Sequence, residues 1–258
     1  MGAALLDLLW STIFYCGSIA ILIGLWAMVR PLPRLGLTTR ARALSVVMVA
    51  AIAVAAVWTI TPGLTTIAQP RSRIDEFAPE FQFRERHEIR IAAPADRVYA
   101  AIRSVTANEI ALFQTFTWIR RFGRPGPESI LNAPERQPIL DVAVKGGFLL
   151  LADDPPREFV VGSAVIRPRD LRLGRAPTPE MFRDLRAPGL AKATMNFLVE
   201  PDGPSASRVV TETRIFATDP WTLRRFTSYW RVIYPGSAIL RITWLRAVKA
   251  RAERYNPS

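Results

Sequence analysis

The clearest chemistry in this sequence is offered by a carboxylate and a guanidinium two residues apart. Glu212 and Arg214 fall in residues 207–218, a run read as a strand, where alternation puts them on one face with Val210 and Phe216 and turns Val209, Thr211, Thr213 and Ile215 to the other. If that face lines a cavity, the pair would hold a polar head group, with Arg214 presenting a planar fork suited to a carboxylate or phosphate. On an outer face the same residues would make a cross-strand or solvated ion pair. His87, the single histidine, has the chemistry of a general acid or base near neutral pH, or of a hydrogen-bonded residue on an apolar strand face. Glu158 opens the pattern Glu158-x-Val160-x-Gly162-x-Ala164, as a cavity acid or as a strand-end surface carboxylate. Tyr229 and Trp230 sit in a stretch that also holds Trp221, Phe226 and Tyr234. Such aromatic density suits a cavity wall for a ring-bearing or acyl ligand, with Tyr229 adding a hydroxyl, and it also suits core packing.

The wider inventory excludes more than it offers. One Cys and one His among 258 residues leave no intrachain disulfide and no Cys/His zinc cage, so any metal would rest mainly on carboxylates. The chain has no G-x-S-x-G elbow, no Walker loop and no dinucleotide fingerprint, so no cofactor is expected. A Ser-His-Asp triad would have to use His87, and Cys16, inside an apolar run, lacks the neighbours of a lipoprotein cleavage site. The formal net charge is +12, but 31 of the 34 basic side chains are Arg, which reads as genome-wide codon bias. With no RNP-like motif, finger or one-sided basic helix, nucleic acid is not an expected partner, whereas anionic phospholipid head groups are.

Two segments explain the positive mean hydropathy. Residues 8–29 hold 22 consecutive uncharged residues and residues 43–61 hold 19, ending at Pro62-Gly63. At about 1.5 Å per residue each crosses a hydrocarbon layer of roughly 30 Å, and neither fits a signal peptide or a core helix as well. Residues 1–68 are therefore expected to form a transmembrane helical hairpin. The connection carries Arg30, Arg34, Arg40 and Arg42, so the positive-inside rule places it in the cytoplasm and the C-terminal domain outside, against the weaker pull of Arg71, Arg73, Arg84 and Arg86.

After an expected linker, residues 69–82, the rest of the chain reads as mixed strand and helix. Arg86, Glu88 and Arg90 alternate with His87, Ile89 and Ile91, a half-buried strand. A helix follows from Pro94, with Val98, Tyr99, Ile102 and Val105 at helical spacing, and a second opens on the capping box Thr106-x-x-Glu109 and carries Leu112, Phe113, Phe116 and Ile119. Pro125, Pro127, Pro134 and Pro138 exclude regular structure before Ile139. Residues 147–152 and 158–166 form one hairpin across Asp153-Asp154-Pro155-Pro156-Arg157, and residues 190–200 and 207–218 a second. A long helix begins at Asp219, interrupted at Pro235-Gly236; beyond it Leu240, Trp244, Val248 and Ala252 recur every four residues, a stripe for docking on the sheet or lying on a membrane.

One strand, two short helices, antiparallel strands and a long terminal helix make an α+β helix-grip order, and the residues themselves resemble a known superfamily. The run His87-Glu88-Ile89-Arg90-Ile91-Ala92-Ala93-Pro94-Ala95-Asp96-Arg97-Val98-Tyr99 resembles the opening strand and helix of the START-like, polyketide-cyclase-like (SRPBCC) superfamily. Thr211-Glu212-Thr213-Arg214-Ile215 with Tyr229-Trp230-Arg231-Val232-Ile233 resembles the closing strand and helix of an uncharacterised bacterial, membrane-anchored branch. The resemblance spans about residues 83–254, within an expected domain of 83–258, and the two spans lie outside the usual pattern. It implies a curved antiparallel sheet around the terminal helix and an elongated apolar cavity between them. The expected function is a membrane-tethered binding domain for a lipid or other hydrophobic small molecule, without catalysis; the alternatives are a cyclase- or hydrolase-like enzyme using Glu212 and Glu158 with Arg214, and an interaction protein whose cavity is filled by its own side chains.

Overall fold

The computed structural model describes residues 2–121, 123, 124, 126, 128–169, 171 and 177–254, with side chains from Leu5 onward. Pro125 and Pro127, and the last four residues of the expected domain, lie outside the described residues. The chain divides into two compact units, one formed by the chain up to Pro62 together with Leu223–Pro235, the other by Gly63–Thr222 with the chain from Gly236 onward.

In the first unit, α1 (Gly2–Val29) and α2 (Arg40–Thr59) form a helical hairpin. Gly36, at φ 72°, closes the turn between them, and the Thr39 hydroxyl caps α2 by accepting from the backbone of Arg42 at 3.3 Å. The seam is built from small residues at heptad spacing. Ala43, Ala50 and Val57 are buried on α2; a Cβ on Gly17 would fall 2.7 Å from Val54 Cγ2, and one on Gly24 would fall 2.6 Å from Val47 Cγ2. Elsewhere the helices present bare apolar side chains, with Leu22 68% and Val49 69% exposed. Leu223–Pro235 joins this unit through hydrogen bonds at the end of α2: the Arg231 guanidinium donates to the carbonyls of Val57 and Ile60 and stacks on Trp10, while the Tyr15 hydroxyl donates to the Val232 carbonyl.

The second unit is organised by a five-stranded antiparallel sheet in the order β3-β7-β6-β5-β4. These strands are β3 (Phe83–Ile91), β4 (Leu149–Asp154), β5 (Glu158–Ile166), β6 (Ala191–Pro201) and β7 (Ser207–Ala217). A short ribbon, β1 (Thr65–Thr66) with β2 (Glu80–Phe81), brackets α3 (Arg73–Phe77). The expected linker is thus folded. Ser72 and Asp75 form a capping box on α3, and Ile74 and Phe77 are buried, a signal too short to stand out from its polar surroundings.

Parity sorts the sheet into two covered faces. The inner face takes Phe159, Val161, Met195, Phe197 and Val209, packed with α4 (Ala95–Ser104), α6 (Ile139–Lys145) and the last four turns of α8 (Pro220–Arg254), whose Trp244, Leu245, Val248 and Ala252 are buried in the same cluster. The four-residue stripe therefore docks on the sheet, at about 1.5–3 kcal/mol for each large apolar side chain buried. On the outer face Ile74 and Phe77 of α3 and Phe182 of α7 (Pro179–Asp184) cover Val160 and Leu151. Gly162 makes this possible, because a Cβ there would lie 2.5 Å from the Phe182 ring.

Two expectations are corrected. The Thr106–Glu109 box caps a 3-10 turn, Ala107–Glu109, and α5 starts only at Phe113 (Phe113–Arg120), after Leu112 turns into the left-handed region at φ 62°. Phe113 is buried there, but Leu112 and Ile119 are exposed. The terminal helix is not interrupted at Pro235-Gly236; α8 runs continuously for 35 residues. Proline removes a single ladder hydrogen bond, and Gly236 serves packing, since a Cβ there would lie 3.3 Å from Phe116.

Candidate functional site

Extending the β3 alternation two residues upstream of His87 puts Glu85 beside it on the inner face, opposite Thr213 and Thr211 of β7. Glu85 is 2% exposed. A carboxylate so placed must be hydrogen-bonded, and it is: His87 Nε2 lies 3.0 Å from Oε1, and the Ser237 hydroxyl donates to Oε2 at 2.8 Å. Ser237 begins the stripe of α8 that faces the sheet, and one turn later the same side carries Arg241, then Trp244 and Leu245.

Arg241 donates through Nη2 to the Thr213 hydroxyl at 2.9 Å, sets Nη1 against the Met195 sulfur, and lies 5.6 Å from the Trp244 ring centroid. Among the described residues no carboxylate oxygen comes within salt-bridge distance of it. Burial pulls the guanidinium below its ordinary pKa, a cost that the more distant Glu85 charge only partly offsets. Trp244 is 4% exposed, packs its ring at 5.0 Å from that of Phe197, and has an Nε1–H with no acceptor among the described residues. The inner face thus gathers a carboxylate, an imidazole, a hydroxyl, a guanidinium and an indole N–H beside apolar side chains. Such a set can orient a ligand by its polar end, and the Glu85–His87 pair can also hold and move a proton.

The residues expected to form one site fall in three places. Only His87 belongs to the inner-face cluster. Beside a cavity on the outer face, away from the inner-face cluster, Glu212 and Arg214 lie opposite Arg86 and Arg84 of β3 and form an ion pair. It is buried rather than solvated: Arg214 is 3% exposed and donates to Glu212 Oε1 at 2.6 Å, Asp75 Oδ1 at 2.6 Å and the Ala78 carbonyl at 2.9 Å. Arg84 completes the set with a bidentate pair of 2.8 Å bonds to Glu212.

Glu158 is not a surface carboxylate either. It is fully buried on the outer face and accepts from the backbone of Arg73 and Ile74, the first two residues of α3, and from Asn196 Nδ2. Burial raises its pKa, partly countered by those three bonds. Glu158 at one end and Arg214 at the other therefore fasten α3 to the sheet. Tyr229 and Trp230 belong to the other compact unit, in an aromatic ladder whose ring centroids are 5.6 Å apart for Phe226–Tyr229, 5.9 Å for Phe226–Trp230 and 5.5 Å for Trp230–Tyr234.

No family model matches this chain, and no curated protein matches it. Solved structures similar to it include a hypothetical protein from Helicobacter pylori, at 9% identity and a TM-score of 0.35, covering 73% of this chain and 98% of that one. A START superfamily protein from Mycobacterium smegmatis matches at 10% identity and a TM-score of 0.25, covering 67% of this chain and 99% of that one. The Zhui aromatase/cyclase from Streptomyces sp. R1128 matches at 13% identity and a TM-score of 0.26, covering 66% and 93%.

Proposed function

We propose that this chain is a membrane-anchored START-like binding protein that holds a lipid or other hydrophobic small molecule between the inner face of its sheet and the terminal helix, without catalysis. The observation that carries the reading is the pair Arg241 and Trp244: a half-buried guanidinium with no carboxylate in salt-bridge distance and a buried indole N–H with no acceptor among the described residues. A donor withdrawn from water, as the Trp244 N–H is, is costly unless an acceptor meets it. A ligand with an apolar body and a carbonyl or carboxylate end supplies one.

The expected result is that the full chain, purified gently in detergent, carries a discrete small molecule in native mass spectrometry, and that Arg241→Met, which fills the same volume, loses it while keeping the wild-type circular dichroism. Retention of the molecule by the variant would overturn the assignment of Arg241. A second reading rests on the Glu85–His87 pair, 3.0 Å apart beside Ser237, as the acid–base element of a cyclase- or hydrolase-like enzyme. A clean apo mass from folded wild-type protein would favour it.

The anchor is the α1/α2 hairpin, supported by the exposure of its large apolar side chains and by two helices of sufficient length and hydropathy, Leu5–Val29 and Arg40–Thr59. Loop charge puts the connection in the cytoplasm and the sheet unit outside. A reporter active only outside the cytoplasm, fused after Ser258, is expected to be active; cytoplasmic activity would reverse the assignment.

A further inference from the structure

The outer face of the sheet, remote in parity from the site just proposed, holds a cavity of about 570 Å³. One wall is the chain from Thr66 through Asp75, and the other is the outer face of β3, β6 and β7. Five guanidiniums line it, those of Arg71, Arg84, Arg86, Arg157 and Arg214, against three carboxylates, Asp75, Glu200 and Glu212.

The carboxylates are already matched. Asp75 and Glu212 are taken by Arg214, with Arg84 bidentate on Glu212, and Glu200 pairs with Arg208 at 2.7 Å. Arg86 divides between Glu88 at 2.8 Å and Glu212 at 3.9 Å. Two guanidiniums are left over. The Arg71 side chain has no hydrogen bond or ion pair among the described residues, and Arg157 beside it makes a single one, from Nη2 to the Arg71 carbonyl at 3.1 Å. The structure thus sets two guanidiniums with N–H groups to spare in the lining of one cavity whose charge is positive by two.

We propose that this cavity binds the phosphoryl group of a phosphate monoester. A dianion matches the surplus charge, and its oxygens accept bidentate donation from both forks, which a single carboxylate would not saturate. Ile67, Ala68, Leu198 and Val210 give the organic part of the ester an apolar surface beside the forks. Two sources carry this chemistry, a lipid head group and a free phosphate compound. The membrane-anchored reading above makes lipid head groups one of the two. The site shares no residue with the inner-face cluster, so its failure and the failure of the ligand reading above are separate results.

The test is isothermal titration calorimetry on the full chain in maltoside micelles, with dihexanoyl phosphatidic acid, dihexanoyl phosphatidylcholine and inorganic phosphate as probes. Saturable binding of phosphatidic acid is expected, weaker for phosphatidylcholine and weakened about tenfold or more by Arg71→Gln/Arg157→Gln. Arg90→Gln/Arg246→Gln, which removes the same charge from exposed positions elsewhere, is expected to leave it unchanged. Equal affinity for inorganic phosphate would assign the site to free phosphate compounds, and dependence on the glyceryl ester would assign it to lipid. The proposal falls if no phosphoryl probe saturates, or if both double variants lose binding alike. Neither pair of substitutions touches a buried residue, and circular dichroism of the variants checks that the fold is intact.

Discussion

Replacing Arg214 by Leu is expected to lower the thermal midpoint of the full chain by about 10 °C, the equivalent of roughly 3–5 kcal/mol for breaking one side of a buried ionic cluster. The cost arises from what is left behind. Asp75 and Glu212 are each 5% exposed; without the guanidinium Asp75 Oδ1 loses its donor, Glu212 is left to Arg84 and the more distant Arg86, and the Ala78 carbonyl loses its partner. Lys at this position supplies one point charge where three acceptors need a fork, so Arg214→Lys is expected to fall between. The pH response follows from Asp75. Burial raises its pKa, but donation from the Arg71 backbone and from Arg214 brings it below the ordinary value. An acid held low in the folded state stabilises above its unfolded pKa, near 3.9, and that stability is lost as pH falls through the folded value. In Arg214→Leu the loss should begin at higher pH. Thermal scans of both proteins from pH 3 to pH 7 check this; an unchanged midpoint with lost ligand would return the pair to a binding role.

The stability of the wild-type chain is expected to rise between pH 7 and pH 9.5, and Lys192→Met should flatten that rise. Lys192 points to the outer face of β6 under α7, 3% exposed, and burial, aided by the charge of Arg186, pulls its pKa down to about 7. Its ammonium donates to the carbonyls of Phe182 and Arg183 at 2.9 and 2.6 Å and lies 5.2 Å from the Phe182 ring centroid. Those contacts offset only part of the desolvation. Unfolded, the same group titrates near 10.4, so between the two values the unfolded chain carries a proton that the folded chain lacks. Stability therefore increases with pH across the window, by about 5 kcal/mol if traversed in full, and the penalty is complete below pH 7. Tyr99, raised by burial and by Asp153, acts with the opposite sign above about pH 10, which sets the upper limit of the scan. A flat wild-type profile, or the same slope in the variant, would refute the assignment.

Much of the architecture was legible because it rests on local rules. Both hairpins, the alternation of β3 and the four-residue stripe of α8 follow from periodicity and turn residues, and the structure places Trp244, Val248 and Ala252 against the sheet as the stripe requires. The site was less legible. Alternation says that Glu212 and Arg214 share a face but not which face meets the terminal helix, and both faces of β7 are buried, so apolar content could not decide. What buries the outer face is α3, five residues whose capping box resembles any polar turn. The inner-face cluster joins Glu85 and Ser237, 152 positions apart, a pairing that no local pattern carries. Two local signals do lead to the cluster: the β3 alternation reaches back to Glu85, and the α8 stripe reaches back to Arg241.

The shared helix also fixes an order of events during synthesis. The unit that contains α1 and α2 is completed by Leu223–Pro235, which the ribosome adds about 160 residues after Pro62, on the order of ten to thirty seconds later at 5–20 residues per second. Until then the carbonyls of Val57 and Ile60 lack Arg231 and the Tyr15 hydroxyl lacks Val232. The nascent hairpin must wait, half partnered, while the whole sheet is made, and its last contacts form only as the final helix emerges.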